Sequence, residues 1–171
     1  MPAGLRSAAD VRIADHVREL ACYTGARQLL LYLALPDEVS LSALIDRALA
    51  DHKLLYLPCV DADGALVYRA WSPGDRLVRS GAGVEEPAAG EAPAARPSII
   101  LVPGRAFDGA GGRVGRGMGC FDRSLVGLAA LGPTVGVAYS CQLEPEVPRE
   151  PHDVTVDLVV TEQGVAGALG A

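Results

Sequence analysis

The sequence predicts an α/β fold: a single-domain three-layer sandwich with a largely parallel, mixed central sheet and helices on both faces. Three observations carry this. Short, wholly apolar runs, LLLYLAL at Leu29–Leu35 and IILVPG at Ile99–Gly104, read as strands buried on both faces, as parallel strands are. Segments with helical spacing alternate with such runs, and that alternation builds a sheet covered by helices. At 171 residues the chain is long enough for one sizeable core, so one domain over 1–171 is expected.

The elements follow in order. Ala8–Ala21 carries Val11, Ile13, Ala14, Val17 and Leu20 at helical spacing. The Leu29–Leu35 strand ends at Pro36-Asp37, and Ser40–Ala50 is a helix with Leu41, Leu44, Ile45 and Leu49 on one side and Ser40 as N-cap. LLYLPCV, Leu54–Val60, is a strand; the turn DADG leads into ALVYRAW, Ala65–Trp71, as an antiparallel hairpin partner. Ser80–Ser98, rich in Ala, Gly, Pro and Glu, reads as a surface connection. After the Ile99–Gly104 strand comes a glycine-rich stretch, then a short helix with Leu125, Val126, Leu128, Ala129 and Leu131. TVGVAYS, Thr134–Ser140, and VTVDLVV, Val154–Val160, complete the strands.

Composition narrows the function. A net charge of −6 argues against general nucleic-acid binding, which needs a basic surface. Lys53 is the one lysine among 15 basic residues, so cationic chemistry rests on guanidinium groups, suited to bidentate contact with phosphate or carboxylate. Cys22, Cys59, Cys120 and Cys141 form no CxxC pair and no zinc spacing, which points to a reduced, cytoplasmic protein. The N-terminal segment has no apolar h-region, and no apolar run reaches bilayer length, so neither a secretory signal nor a membrane partner is expected.

The functional signal lies in GRVGRGMGCFDR, Gly112–Arg123. Six glycines fall between Gly109 and Gly119, and glycine permits positive φ and close approach of amides to a ligand. Successive amides of this kind form an anion-binding concavity. The loop follows an apolar strand and precedes a helix, where α/β proteins collect anionic ligands. Arg105, Arg113, Arg116 and Arg123 face only Asp108 and Asp122 in charge count. Phosphate is the expected guest, against the alternative of a surface loop that merely tolerates glycine. The stretch is not a Walker A loop, because Met118 and Gly119 stand where Lys and Ser/Thr belong, and it contains no GxGxxG.

Asp122 is either a hard oxygen ligand for Mg²⁺ or the N-cap of the following helix. A second carboxylate comes from HDVTVD, where His152 and Asp153 precede a strand. Cys120 lacks a neighbouring His to activate it. His16 and His52 read as helix-surface residues, and Trp71 either covers a ligand or caps the core.

LVPGRAFDGAGGRVGRGMGCFDRSL resembles the signature of the 5-formyltetrahydrofolate cyclo-ligase family, a pattern close to LVPGLAFD…G.RLG.GKGYYDR.L. Further segments resemble that family in the same order: PDEVSLSALIDRAL, Lys53–Pro58, GVEEP at Gly83–Pro87, and GVAYSCQLEPEVPREPHDVTVDLVVTE. The matches run from about Leu29 to Glu162.

The resemblance implies an ATP- and Mg²⁺-dependent ligase acting on a reduced formylfolate. In that family the formyl oxygen of 5-formyltetrahydrofolate attacks the γ-phosphate of ATP, N10 attacks the activated carbon, and phosphate leaves, giving 5,10-methenyltetrahydrofolate and ADP. It implies ATP contacts from Arg6, Arg113, Val114, Gly115, Arg116, Gly117, Met118, Gly119, Cys120 and Phe121, with Arg113 and Arg116 in the catalytic role. Substrate contacts are implied for Leu33, Glu38 and Arg116 to Cys120, and Mg²⁺ ligation for Asp122 and Asp153. The chain departs from the family at Met118, commonly Lys, and at Cys120-Phe121, commonly Tyr-Tyr. Its first helix matches the family's second, with Arg6 and Arg12 in place of a leading basic helix. A non-catalytic relative that binds folate or nucleotide is the alternative. The expected state is a monomer or weak homodimer.

Overall fold

A computed structural model describes residues 3–80, 84–93, 98–117, 119–150 and 153–167, with Ala3 and Cys120 as backbone only. Seven strands form the main sheet. From one edge to the other these are β11 (Gly164–Ala166), β10 (Leu158–Thr161), β9 (Thr134–Val137), β6 (Ser98–Pro103), β1 (Gln28–Leu30), β2 (Leu54–Val60) and β3 (Leu66–Trp71). The five inner strands run parallel, and the edge strands β3 and β11 are antiparallel to their neighbours. The mixed, mostly parallel α/β sheet is the architecture that the apolar runs predict.

The inner strands are apolar throughout because both faces are covered. Leu29, Leu31, Leu55, Leu57, Ile99, Leu101, Val135 and Val137 point to one face, beneath α1 (Ala3–Glu19), α2 (Ala21–Gly25) and α3 (Ser42–Ala50). Leu30, Tyr56, Ile100, Val102 and Val159 point to the other, where Leu125 and Leu128 of α4 (Cys120–Ala129) and the wholly buried Phe107 pack. Right-handed crossovers put the helices on opposite faces: the chain leaves β1 through α3 toward β2, and leaves β6 through α4 toward β9, moving in opposite directions across the sheet.

Several boundaries shift, each for a physical reason. The predicted strand Leu29–Leu35 pairs only at Gln28–Leu30, with one more bond from Leu31 N–H to the Tyr56 carbonyl; Leu33 and Leu35 then turn away to wall a cleft. The predicted strand Val154–Val160 joins the sheet only from Leu158, because Val156 N–H is taken by the Gly111 carbonyl. Ser40 is not the N-cap of α3: Leu41 holds that position with no side-chain bond, and the Ser40 N–H goes to Asp10. The surface connection contains β5 (Glu85–Pro87), antiparallel to β4 (Leu77–Arg79). Trp71 packs against the core cluster, and the half-buried His16 meets the Thr161 carbonyl through Nδ1 at 2.9 Å.

Candidate functional site

Because connections leave β1 and β6 in opposite directions, a crevice opens between the carboxyl ends of these neighbours, where open α/β sheets bind ligands. Two loops flank it: residues 31–41 after β1 and residues 104–119 after β6. The cleft encloses ≈ 890 Å³ of free space, open mouth included. Its apolar wall is Leu33, Leu35, Pro58, Val60, Leu66 and Phe121; Glu38, Glu85, Glu86, Arg113, Arg116 and Asp122 supply its charge.

The loop after β6 is built rather than slack. Residues Ala106–Phe107 (β7) and Arg113–Val114 (β8) form a short hairpin. Asp108, 1% exposed, is its hub: the carboxylate accepts N–H bonds from Ala110 at 2.9 Å, Gly112 at 2.8 Å and Val147 at 3.1 Å. Burial alone would raise its pKa, but these three amides, with Arg149 nearby, hold it below the ordinary carboxylate value. Gln142 braces the root of the loop: its amide donates to the Gly104 and Arg105 carbonyls at 3.3 and 3.2 Å, while its oxygen accepts Tyr139 N–H. Gly117 and Gly119 have φ of +79° and +63°, the left-handed region that glycine enters at no steric cost.

Arg113 forms the floor. Its side chain is 4% exposed, its Nη2 donates to Asp122, and its guanidinium lies 5.7 Å from the Phe121 ring centroid. Its buried Nε has no partner among the described residues, a donor that is costly to leave unmade. Gly115 admits this guanidinium, since a Cβ there would stand 2.7 Å from Arg113 Nη1. Arg116 reaches across the mouth: Nε donates to Glu38 Oε1 at 3.1 Å and Nη2 donates to Asp37. Arg105 Nε lies 3.6 Å from the other Asp37 oxygen. Glu38 is 8% exposed; burial raises its pKa, opposed by the Leu35 N–H at 2.9 Å.

The fold therefore brings together Leu33, Glu38, Arg113, Gly115, Arg116, Gly119, Phe121 and Asp122 as lining of one cleft. Val114 lies beside them in β8, and its carbonyl accepts Arg105 N–H. Gly117 sits in the same loop. Met118 lies outside the described residues, as does the side chain of Cys120. Arg6 is on α1, donating to the Pro36 carbonyl at 2.5 Å with its guanidinium 5.6 Å from the Tyr139 ring centroid; this ties α1 to the loop after β1. Arg123 donates to Gly64 at 3.0 Å, on the side of the β2–β3 turn. Asp122 does not cap α4, whose N-cap is Gly119; its carboxylate goes to Arg113. Asp153 bonds Glu150 N–H at 2.7 Å and is not among the lining residues, and His152 lies outside the described residues.

Sequence reasoning missed the roles of Asp37, Asp108 and Gln142. Asp108 was countable as a charge, but nothing in its local pattern says that its carboxylate turns inward onto amides. No group of three or more His, Cys, Asp or Glu that could hold a metal occurs among the described residues. A magnesium ion that shares phosphate oxygens needs only one or two protein carboxylates, and Asp122 at the cleft satisfies that minimum. The orphaned Arg113 Nε, the left-handed glycines and the converging guanidinium groups fit a polyphosphate.

Compared with known proteins, residues 3–162 match the 5-formyltetrahydrofolate cyclo-ligase family. The 5-formyltetrahydrofolate cyclo-ligase of Mycolicibacterium smegmatis is 34% identical over 145 residues, covering 80% of this chain and 74% of its own. That of Escherichia coli K12 is 30% identical over 146 residues, 82% of this chain and 80% of its own. Among solved structures, the 5,10-methenyltetrahydrofolate synthetase of Aquifex aeolicus has a TM-score of 0.82 at 30% identity, covering 100% of this chain and 87% of that one.

Proposed function

The chain belongs to the 5-formyltetrahydrofolate cyclo-ligase family, and from that premise we propose that it closes 5-formyltetrahydrofolate to 5,10-methenyltetrahydrofolate in this cleft, using ATP and Mg²⁺ and releasing ADP and phosphate. One observation carries the assignment of the site. A buried arginine with an unpartnered donor and a near-buried glutamate face one apolar-walled crevice at the switch point of the sheet.

The phosphoryl group that turns the formyl oxygen into a leaving group comes from the nucleotide. The chain's own residues do the rest. Arg113, fixed by Asp122 and by the Phe121 ring, offers donors where charge develops on the transferring group, and needs no reorganisation to do so. Arg116 and the amides of Gly115, Gly117 and Gly119 complete the phosphate cradle, with Val114 and Phe121 at its sides. Asp122 would hold Mg²⁺, and Asp153 would join it only by leaving its turn with Glu150. Leu33 and the neighbouring apolar wall pack the pterin and exclude water, and Glu38 accepts an N–H of the folate near N10.

The reading includes a cytoplasmic protein of one domain over 1–171, a monomer or weak homodimer without nucleic-acid or membrane partners. The net charge of −6 supports the absence of a nucleic-acid partner. Among the described residues no helix is long and apolar enough to cross a membrane. Incubation with 5-formyltetrahydrofolate and MgATP, with ADP followed by a coupled assay, tests the activity. Folate-dependent ADP release is expected. Its absence from folded protein, with calorimetric binding retained, would establish the non-catalytic relative instead.

A further inference from the structure

Two guanidinium groups of the phosphate loop are already engaged. Arg116 Nη2 donates to Asp37, and Arg105 Nε lies 3.6 Å from the second oxygen of the same carboxylate. Asp37 stands on the loop after β1, and both arginines on the loop after β6, so one carboxylate spans the mouth of the cleft between the two halves of the sheet. Asp37 and Arg105 are 44% and 62% exposed, which makes their contact labile, whereas Arg113 beneath them is fixed and buried. A carboxylate and a phosphate compete for the same fork of guanidinium donors.

We propose that Asp37 is a positioning residue: it holds Arg105 and Arg116 across the mouth of the cleft, and an incoming polyphosphate takes both arginines from it. Polyphosphate binding also withdraws Arg116 Nε from Glu38 Oε1, leaving that oxygen free to accept an N–H from the second substrate. The inference rests on the polyphosphate reading of the cleft given above.

The experiment compares the full chain with Asp37→Asn and with Glu85→Gln, using magnesium tripolyphosphate as calorimetric probe. Glu85 lines the same cleft, so it reports the general effect of removing one negative charge. Asp37→Asn is expected to bind the probe about 5- to 20-fold more tightly than wild type. The gain for Glu85→Gln should be several-fold smaller, and melting temperatures should agree within about 2 °C because the substituted carboxylates are at the surface. Equal gains would assign the effect to the general field and overturn the clasp. Unchanged or weaker binding by Asp37→Asn would overturn it as well. If wild type itself binds neither tripolyphosphate nor MgATP, the parent reading of the cleft fails, an outcome distinct from the other two. Should Asp37→Asn fold poorly, Asp37→Ser provides the same comparison.

Discussion

At the scale of single residues, two buried carboxylates behave in opposite ways. Asp108 is ionised and satisfied: its folded-state pKa lies below the ordinary 3.8, so its stabilisation is present at neutrality and is lost as pH falls below about 4 through the folded value. Asp108→Ala leaves the amides of Gly112 and Val147 unpaired and should cost about 3 kcal/mol in urea unfolding at pH 7. The gap to wild type should narrow in acid; a gap independent of pH would show that the charge is not what holds the loop. Glu38 is the reverse case. Burial raises its pKa above the ordinary 4.5, so Glu38 binds its proton more tightly in the folded than in the unfolded chain; that contribution is present at low pH and is lost as pH rises through the raised value. An ionised Glu38 therefore costs stability at neutrality, and Glu38→Gln should match or exceed wild type in urea resistance at pH 7. Its kcat/KM should still fall about 100-fold, because the anionic acceptor is lost. Retained kcat/KM with reduced stability would make Glu38 structural. These two roles were unequally legible: the family resemblance marks Glu38, but no local pattern reveals a carboxylate folded back onto its own loop.

Among the elements, legibility followed burial. β2 is found at Leu54–Val60 and α4 spans the predicted apolar stripe from Leu125 to Ala129, with Leu131 just beyond its end, because long stretches packed on a core carry a periodic signal. β4, β5, β7, β8 and β11 have three residues or fewer, too few for any period, and are defined by short hairpin pairings with neighbouring segments. The second half of LLLYLAL misled for a different reason: apolarity that lines a cleft looks the same as apolarity inside a sheet. The glycines after β6 also serve different ends. Gly104 is required by packing, since a Cβ there would stand 2.6 Å from the Phe107 ring and 3.1 Å from Arg113 Cγ. Gly104→Ala should cost about 2 kcal/mol of stability and displace Arg113, weakening ATP binding as well as lowering the melting temperature. Gly127, on the exposed side of α4 with nothing within 4 Å of a Cβ, is the control: Gly127→Ala should stabilise by about 0.5–1 kcal/mol and leave nucleotide affinity unchanged. Thermal unfolding and calorimetry on both variants separate the cases. Equal losses from both would mean that glycine at 104 is not there to admit a ring.

For the whole molecule, the governing feature is the switch between β1 and β6, which no single segment announces. The strands on its two sides belong to different stretches of chain, residues 28–71 and residues 98–166, and each stretch contributes one loop to the cleft. A ligand bound there is held by both halves at once, so its free energy is shared by loops far apart in sequence. Ligand at 100 times its Kd stabilises the folded state by about 2.7 kcal/mol, and the local part of that gain should appear wherever binding restrains the backbone. With MgATP and 5-formyltetrahydrofolate analogue present, amide exchange should slow together in residues 31–41 and 104–117, while the β4 hairpin strand and the β10–β11 edge stay unchanged. The buried core strands should exchange slowly with or without ligand and serve as an internal reference. Protection confined to the loop after β6 would mean that this loop binds phosphate alone, and that Glu38 with its apolar neighbours belongs to the packing of the protein rather than to its chemistry.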